Sequence, residues 1–179
     1  SFMKVCTFSG HRPQKFPWKF DESDKRCVEL KNQLHLAIGQ AIIDGYDYFI
    51  TGGALGLDMW AAEAVLKYKN ENELKLEIAK PFDSYNDNLR GEYQRRQQYI
   101  LQNAAKITAV DTRENWKKAY MLRNQYMINQ SGRLIVAMDS MQMRSGTAQT
   151  LRMAEKAGLE IVRLNWAEDV IMPIAGGQD

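Results

Sequence analysis

The residues from which chemistry can be read most directly are Thr51-Gly52-Gly53-Ala54-Leu55-Gly56-Leu57-Asp58. They follow the short apolar run Tyr48-Phe49-Ile50 and lead into a helix-like stretch ending near Tyr68. Glycines let a backbone approach an anion with no Cβ in the way, and the free N–H groups of a helix's first turn face that anion. A strand, a glycine-rich turn and a helix in this order therefore form a phosphate-binding arrangement. The turn is not a Walker A loop, because no Gly-Lys-Ser/Thr closes it. Nor is it the dinucleotide fingerprint, since the spacing is Gly-Gly-x-x-Gly after a second strand. The same residues would also suit a tight connection with no ligand. Asp58 falls in the helix's first turn, where it either stabilises the N-terminus or faces a ligand hydroxyl.

Three other stretches offer matching groups. Ser9-Gly10-His11-Arg12 combines a flexible backbone, a hydroxyl, an imidazole and a guanidinium, a set that suits a phosphate or a ribose and equally an exposed polar loop. Arg123-Asn124-x-x-Met127 has helical spacing, which stacks Arg123 and Met127 on one face, although an arginine there is commonly a solvated charge. Ser145-Gly146-Thr147 opens a further helix, with Ser145 as an N-cap or as part of a second anion cradle. Met59, Trp60 and the Met141/Met143 pair read as packing residues.

Strands and helices alternate along the chain and must position these groups. Strands are expected at Lys4–Phe8, Tyr48–Thr51, Leu74–Lys80, Ile107–Val110, Leu134–Met138 and Glu160–Leu164. Helices are expected from about Asp24 to Asp44, from the glycine turn to Tyr68, from Ser84 to Ala104, from Trp116 to Gln130 and from Ser145 to Ala157. Gly45 and Gly158 stand at natural helix stops. The pattern predicts an α/β, Rossmann-like three-layer sandwich, a mostly parallel sheet of about six strands with helices on both faces. In such sheets ligands bind at the carboxyl ends of the strands, which is where the unusual loops fall. One domain over residues 1–166 is expected, with a partly disordered tail over 167–179.

The composition narrows the function classes. A chain of 179 residues with 45% hydrophobic and 26% charged residues and a formal net charge of +2 is an ordinary globular composition. Charges of both signs are mixed along it, which argues against a dedicated nucleic-acid binder but not against a small anionic ligand. Two cysteines without a CxxC pair and two histidines offer no disulfide framework and no metal spacing, so no metal and no cofactor are expected. No signal-peptide pattern opens the chain and no apolar run is long enough to span a membrane, so the expected setting is cytoplasmic, with a homodimer possible.

Taken together, Ser9-Gly10-His11-Arg12-Pro13, the Thr51–Asp58 turn, Arg123-Asn124-Gln125-Tyr126-Met127 and Ser145-Gly146-Thr147-Ala148 resemble the SLOG superfamily. This Rossmann-like group includes DprA and the Lonely Guy cytokinin-activating enzymes, and within it the chain looks most like the bacterial YpsA family. The resemblance implies a nucleotide-derived ligand. In the Lonely Guy phosphoribohydrolases an Arg-Lys-x-x-Met motif supplies an active-site arginine; Arg123 matches it, and Asn124 replaces the lysine. Their Gly-Gly-x-Gly-Thr-x-x-Glu motif matches at Gly146-Thr147, whereas Met143 and Arg144 stand at the first two glycines and Thr150 at the glutamate. Glycosidic cleavage passes through an oxocarbenium-like state that a carboxylate stabilises, and threonine cannot replace it. Asp58, Glu63 or Asp139 would then have to serve.

The leading expectation is therefore a binding protein for a nucleotide or nucleotide-sugar resembling ADP-ribose. Its ligand-binding residues would be Ser9, Gly10, His11, Arg12, Gly52, Gly53, Gly56, Asp58, Arg123, Asn124, Ser145, Gly146 and Thr147. The alternative is a hydrolase of the N-glycosidic bond of a nucleoside monophosphate, with Arg123, Asp58 and Glu63 as catalytic candidates. A second alternative, DprA-like single-stranded DNA binding, would use aromatics among basic residues at Tyr93 to Tyr99, with Arg95 and Arg96.

Overall fold

The structure, a computed structural model, describes residues 3–138 and 145–166. Its strands are β1 (Val5–Gly10), β2 (Tyr48–Thr51), β3 (Lys75–Phe82), β4 (Lys106–Asp111), β5 (Arg133–Ala137) and β6 (Glu160–Leu164). Its helices are α1 (Lys25–Ile43), α2 (Leu57–Lys69), α3 (Gly91–Asn103), α4 (Trp116–Gln130) and α5 (Gly146–Ala157). All strand pairs are parallel, in the order β4-β3-β2-β1-β5-β6. Helices α1, α2 and α3 pack together on one face, and α4 and α5 on the other. This is the expected three-layer α/β sandwich. The tail from residue 167, and Asp139, Met141, Met143 and Arg144, lie outside the described residues.

The strand order decides where a ligand can enter. From β1 the chain steps outward through β2 and β3 to β4, then returns across the sheet to place β5 on the other side of β1. The connections leaving β1 and β5 therefore diverge and open a crevice at the carboxyl ends of these two central strands. Ser9–Arg12 leaves one side of that crevice and Ser145–Thr147 enters the other.

Covering both faces requires apolar strands, and β2 and β5 are buried at every position. The larger core lies under α1 and α2, where Phe8, Phe49, Leu76 and Ile78 meet Leu30, Leu34, Ile38, Trp60 and Val65. Under α4 and α5 the core is split in two, one part around Leu134, Val136, Ile128 and Leu151, the other around Ile50, Ala79 and Met127. The buried Glu77 carboxylate on β3 accepts hydroxyls from Tyr48 (2.5 Å), Tyr126 (2.6 Å) and Thr108 (2.7 Å), joining β2, β3, β4 and α4. Burial of a carboxylate is tolerable only with such donors. No helix among the described residues is long and apolar enough to cross a membrane.

One helix differs from expectation. Helicity expected from Ser84 begins only at Gly91, and the residues before it form turns. Asn86 adopts φ 63° and its side-chain amide donates to the Gly53 carbonyl at 3.1 Å, while Gly91 has φ 63°. Left-handed residues stop a helix, and the side chain of Asn86 is satisfied in the turn instead. The segment thus folds over the glycine turn and brings Tyr85, which is buried, toward the crevice.

Candidate functional site

At the crevice lies a cleft of about 390 Å³, within the size range of small-molecule sites. Ser9, Gly10, His11 and Arg12 line it from the end of β1, and Ser145, Gly146, Thr147 and Thr150 from the start of α5. Arg123 and Asn124 enter from α4, and Ala54 and Asp58 from the glycine turn and the first turn of α2. Four stretches far apart in sequence thus meet in one place.

The glycines of the turn contribute differently from expectation. Gly52, Gly53 and Gly56 do not line the cleft; they let protein groups close in on one another. A Cβ at Gly52 would lie 2.8 Å from both an Arg123 guanidinium nitrogen and an Asp58 carboxylate oxygen. Gly56, at φ 87° and ψ −132°, faces the β1 loop, and a Cβ there would sit 2.5 Å from the His11 carbonyl oxygen. That backbone conformation belongs to glycine. The Leu57 N–H in turn donates to the His11 carbonyl at 3.3 Å, so the turn seats the Ser9–Arg12 loop. Gly56→Ala is expected to destabilise the protein by about 1–2 kcal/mol. Urea denaturation measures this, and an unchanged midpoint would contradict it.

Arg123 is 5% exposed and built into the structure. It donates to the Gly52 carbonyl, to the Ala79 carbonyl at 3.2 Å and, through Nε, to Asn124 Oδ1 at 2.9 Å. Its guanidinium carbon lies 5.8 Å from the ring centres of both Tyr85 and Tyr120. Asp58, 8% exposed, accepts the Ala54 N–H at 3.3 Å. Burial raises the Asp58 carboxyl above its ordinary value, opposed by the charge of Arg123, the Ala54 N–H, the charge of Arg12 and the Gly52 N–H. Asp58 and Arg123 thus grip the glycine turn from both sides, and part of each remains on the cleft wall.

Groups whose chemistry suits an anion line the opposite side of the cleft. Ser145 Oγ caps α5 by accepting the Ala148 N–H at 3.0 Å, and Ser145, Gly146 and Thr147 at the start of that helix line the cleft. Exposed Arg12 and Lys15 add mobile positive charge. His11 Nδ1 lies 3.4 Å from Thr147 Oγ1 and joins the β1 loop to α5. Thr150, expected at the position of the phosphoribohydrolase glutamate, is buried and donates to the Gly146 carbonyl at 3.1 Å.

Glu63 is not brought to this site. It accepts two bonds of 2.8 Å from Arg96, which also pairs with Glu22 at 3.0 Å and Glu92 at 3.1 Å. This network ties α2 and α3 to the segment before α1 and lies away from the cleft, so Glu63 is not placed for the catalytic part expected of it. Of the expected Tyr93–Tyr99 stacking stretch, Tyr93 packs edge-on against Phe20 at 6.0 Å with the Arg96 guanidinium 5.6 Å from its ring centre, whereas Tyr99 is exposed. Both cysteines are buried, and burial pushes the Cys27 thiol up to about 11 and that of Cys6 higher still, which disfavours the nucleophilic thiolate. Lys15 escaped the sequence reading; its only signal is its place three residues after Arg12 in a turn opened by Pro13.

Comparison with known proteins agrees with this architecture. The YspA SLOG family model (YpsA) matches residues 6–168. A UPF0398 protein of Bacillus cereus strain B4264 is 29% identical over 140 residues, covering 76% of this chain and 75% of that protein. A UPF0398 protein of Bacillus thuringiensis strain Al Hakam is 27% identical over the same length and coverage. Among solved structures, DNA processing protein A from Helicobacter pylori, described for its single-stranded DNA binding mode, superposes with a TM-score of 0.61 at 19% identity, covering 98% of this chain and 73% of that one. DNA processing protein A from Streptococcus pneumoniae gives 0.59 at 17%, and this chain spans 57% of it. At these identities the likeness concerns the fold.

Proposed function

Since the chain belongs to the YspA SLOG family, we propose that it binds a nucleotide or nucleotide-sugar through the cleft at the β1/β5 crevice. The observation that carries this reading is the convergence of the Ser9–Arg12 loop, the start of α5 and two cations, Arg12 and Lys15, on one cleft. The phosphate is held by the first N–H groups of α5 together with these cations. Ser9 and Asp58 orient a ribose, Asp58 accepting from its hydroxyls when ionised. Gly52, Gly53 and Gly56 act behind this surface by fixing Asp58 and the β1 loop.

Calorimetric titration with ADP-ribose, AMP and ribose 5-phosphate tests the reading. At least one is expected to bind with heat release that Arg12→Ala diminishes; failure of all three at millimolar concentration would sink it.

Hydrolysis of an N-glycosidic bond is a second reading, favoured by one observation. Asp58 is the only carboxylate among the described residues that lines the cleft, and burial raises its carboxyl above its ordinary value. A chromatographic assay for free base decides: release of base by the protein, abolished in Asp58→Asn, supports it. The likeness to DNA processing protein A adds a single DNA strand as an alternative carrier of base and phosphate.

A further inference from the structure

The cleft has an aromatic neighbour that phosphate binding leaves unused. Phe82 ends β3, Tyr85 lies in the turn after it, and Trp116 and Tyr120 occupy the first turns of α4. Their rings form a connected set: Phe82 to Tyr85 5.7 Å, Tyr85 to Tyr120 5.8 Å, Phe82 to Tyr120 6.1 Å and Trp116 to Tyr120 6.2 Å, all near edge-to-face. The set begins at the cleft itself, because the Arg12 guanidinium carbon lies 5.3 Å from the centre of the Tyr120 ring. It ends in solvent at Trp116, which is 51% exposed, whereas Trp18, Trp60 and Trp166 are all buried.

We propose that Trp116 and Tyr120 form a nucleobase subsite, which stacks the base of a ligand whose phosphate lies at Arg12 and the start of α5. The proposal rests on the phosphate-binding reading for its anchor and adds the residues that hold the base of that ligand. Three observations support it. A half-exposed tryptophan contributes little to the core, and the buried stripe of α4 (Ala119, Arg123, Met127, Ile128) does not include it. Edge-to-face packing on Tyr120 holds the indole in place, with the Lys117 ammonium 5.4 Å from its ring centre, so little ordering of the ring is needed on binding. The cation at Arg12 adjoins the inner ring, so base and phosphate of one small ligand can be engaged together. Stacking of a base on an aromatic side chain is worth about 1–3 kcal/mol and tolerates any base.

Tryptophan fluorescence separates the subsite from its anchor. The protein is titrated with ribose 5-phosphate, AMP and an oligothymidylate, in the native form and as Trp116→Ala and Trp116→Phe. AMP is expected to bind at least about tenfold more tightly than ribose 5-phosphate and to quench the fluorescence. Trp116→Ala should lower AMP affinity to that of ribose 5-phosphate, abolish the quenching and leave ribose 5-phosphate binding unchanged. Trp116→Phe should keep most of the AMP affinity. Tighter binding of the oligothymidylate than of AMP, lost in Trp116→Ala, upholds the subsite and assigns its base to a single strand. Equal affinity for AMP and ribose 5-phosphate, or a base preference that survives Trp116→Ala, overturns the subsite while the phosphate anchor stands. Binding of none of the three overturns both.

Discussion

Arg123→Ala is expected to destabilise the protein by about 3–5 kcal/mol at neutral pH, as does removal of one partner of a buried charge pair elsewhere. Two losses combine. The Gly52 and Ala79 carbonyls lose the guanidinium that satisfies them inside the protein. Asp58, nearly as buried, loses the positive charge that opposes its burial. The second loss depends on pH in a direction that can be worked out. The folded-state value of Asp58 already lies above its unfolded value, so the folded protein binds more protons between the two, and stability falls as pH rises through that window. Without Arg123 the folded value rises further, so the window widens and the penalty at neutral pH grows. Below the unfolded value Asp58 is neutral in both states, and only the carbonyl loss remains. Urea denaturation of native and variant protein from acid to neutral pH should therefore show a difference that shrinks toward acid. Asp58→Asn in the Arg123→Ala background should restore part of the neutral-pH stability. A deficit that is the same at every pH would mean that the two side chains are not coupled.

The sequence carried the fold further than it carried the site. Tyr48-Phe49-Ile50 and Leu134-Ile135-Val136-Ala137 are unbroken apolar runs, and these became the strands buried on both faces. Gly45 and Gly158, at φ 94° and 80°, end the helices they follow. The order of the strands is a long-range property that no local spacing encodes, and it alone makes β1 and β5 neighbours. The glycine turn shows a related gap. Gly52, Gly53 and Gly56 are compatible with a bare phosphate cradle, and only three-dimensional packing reveals that Arg123, Asp58 and the His11 carbonyl occupy the space beside them. Glu63 and Asp58 lie five residues apart on the same helix. Five residues turn a helix by about 140°, so one faces the cleft and the other Arg96 of α3. The aromatic wall was illegible for the same reason: Phe82, Tyr85, Trp116 and Tyr120 are spread over two elements and a turn, and each alone reads as packing.

If Arg123 holds the site together, Arg12 should do the binding, and the two arginines are expected to separate cleanly. Arg12 is exposed, its guanidinium rests against the Tyr120 ring, and it stands at the junction of cleft and aromatic wall. An exposed side chain of this kind contributes little to stability, so Arg12→Ala should leave the urea midpoint nearly unchanged. A charge-assisted bond to a phosphate is worth about 1.5–3 kcal/mol, so the same variant should bind AMP or ribose 5-phosphate roughly 10- to 100-fold more weakly. Arg12→Lys keeps the charge and loses the planar fork, and it should recover part of the affinity for a phosphate but little of the contact with the Tyr120 ring. Raising the salt concentration should weaken the native protein more than Arg12→Ala, since the variant has already lost the exposed charge that salt screens. Calorimetry at two ionic strengths measures both effects together. Equal phosphate affinity in native protein and Arg12→Ala would move the anion away from the junction and leave the start of α5 and Lys15 to hold it alone.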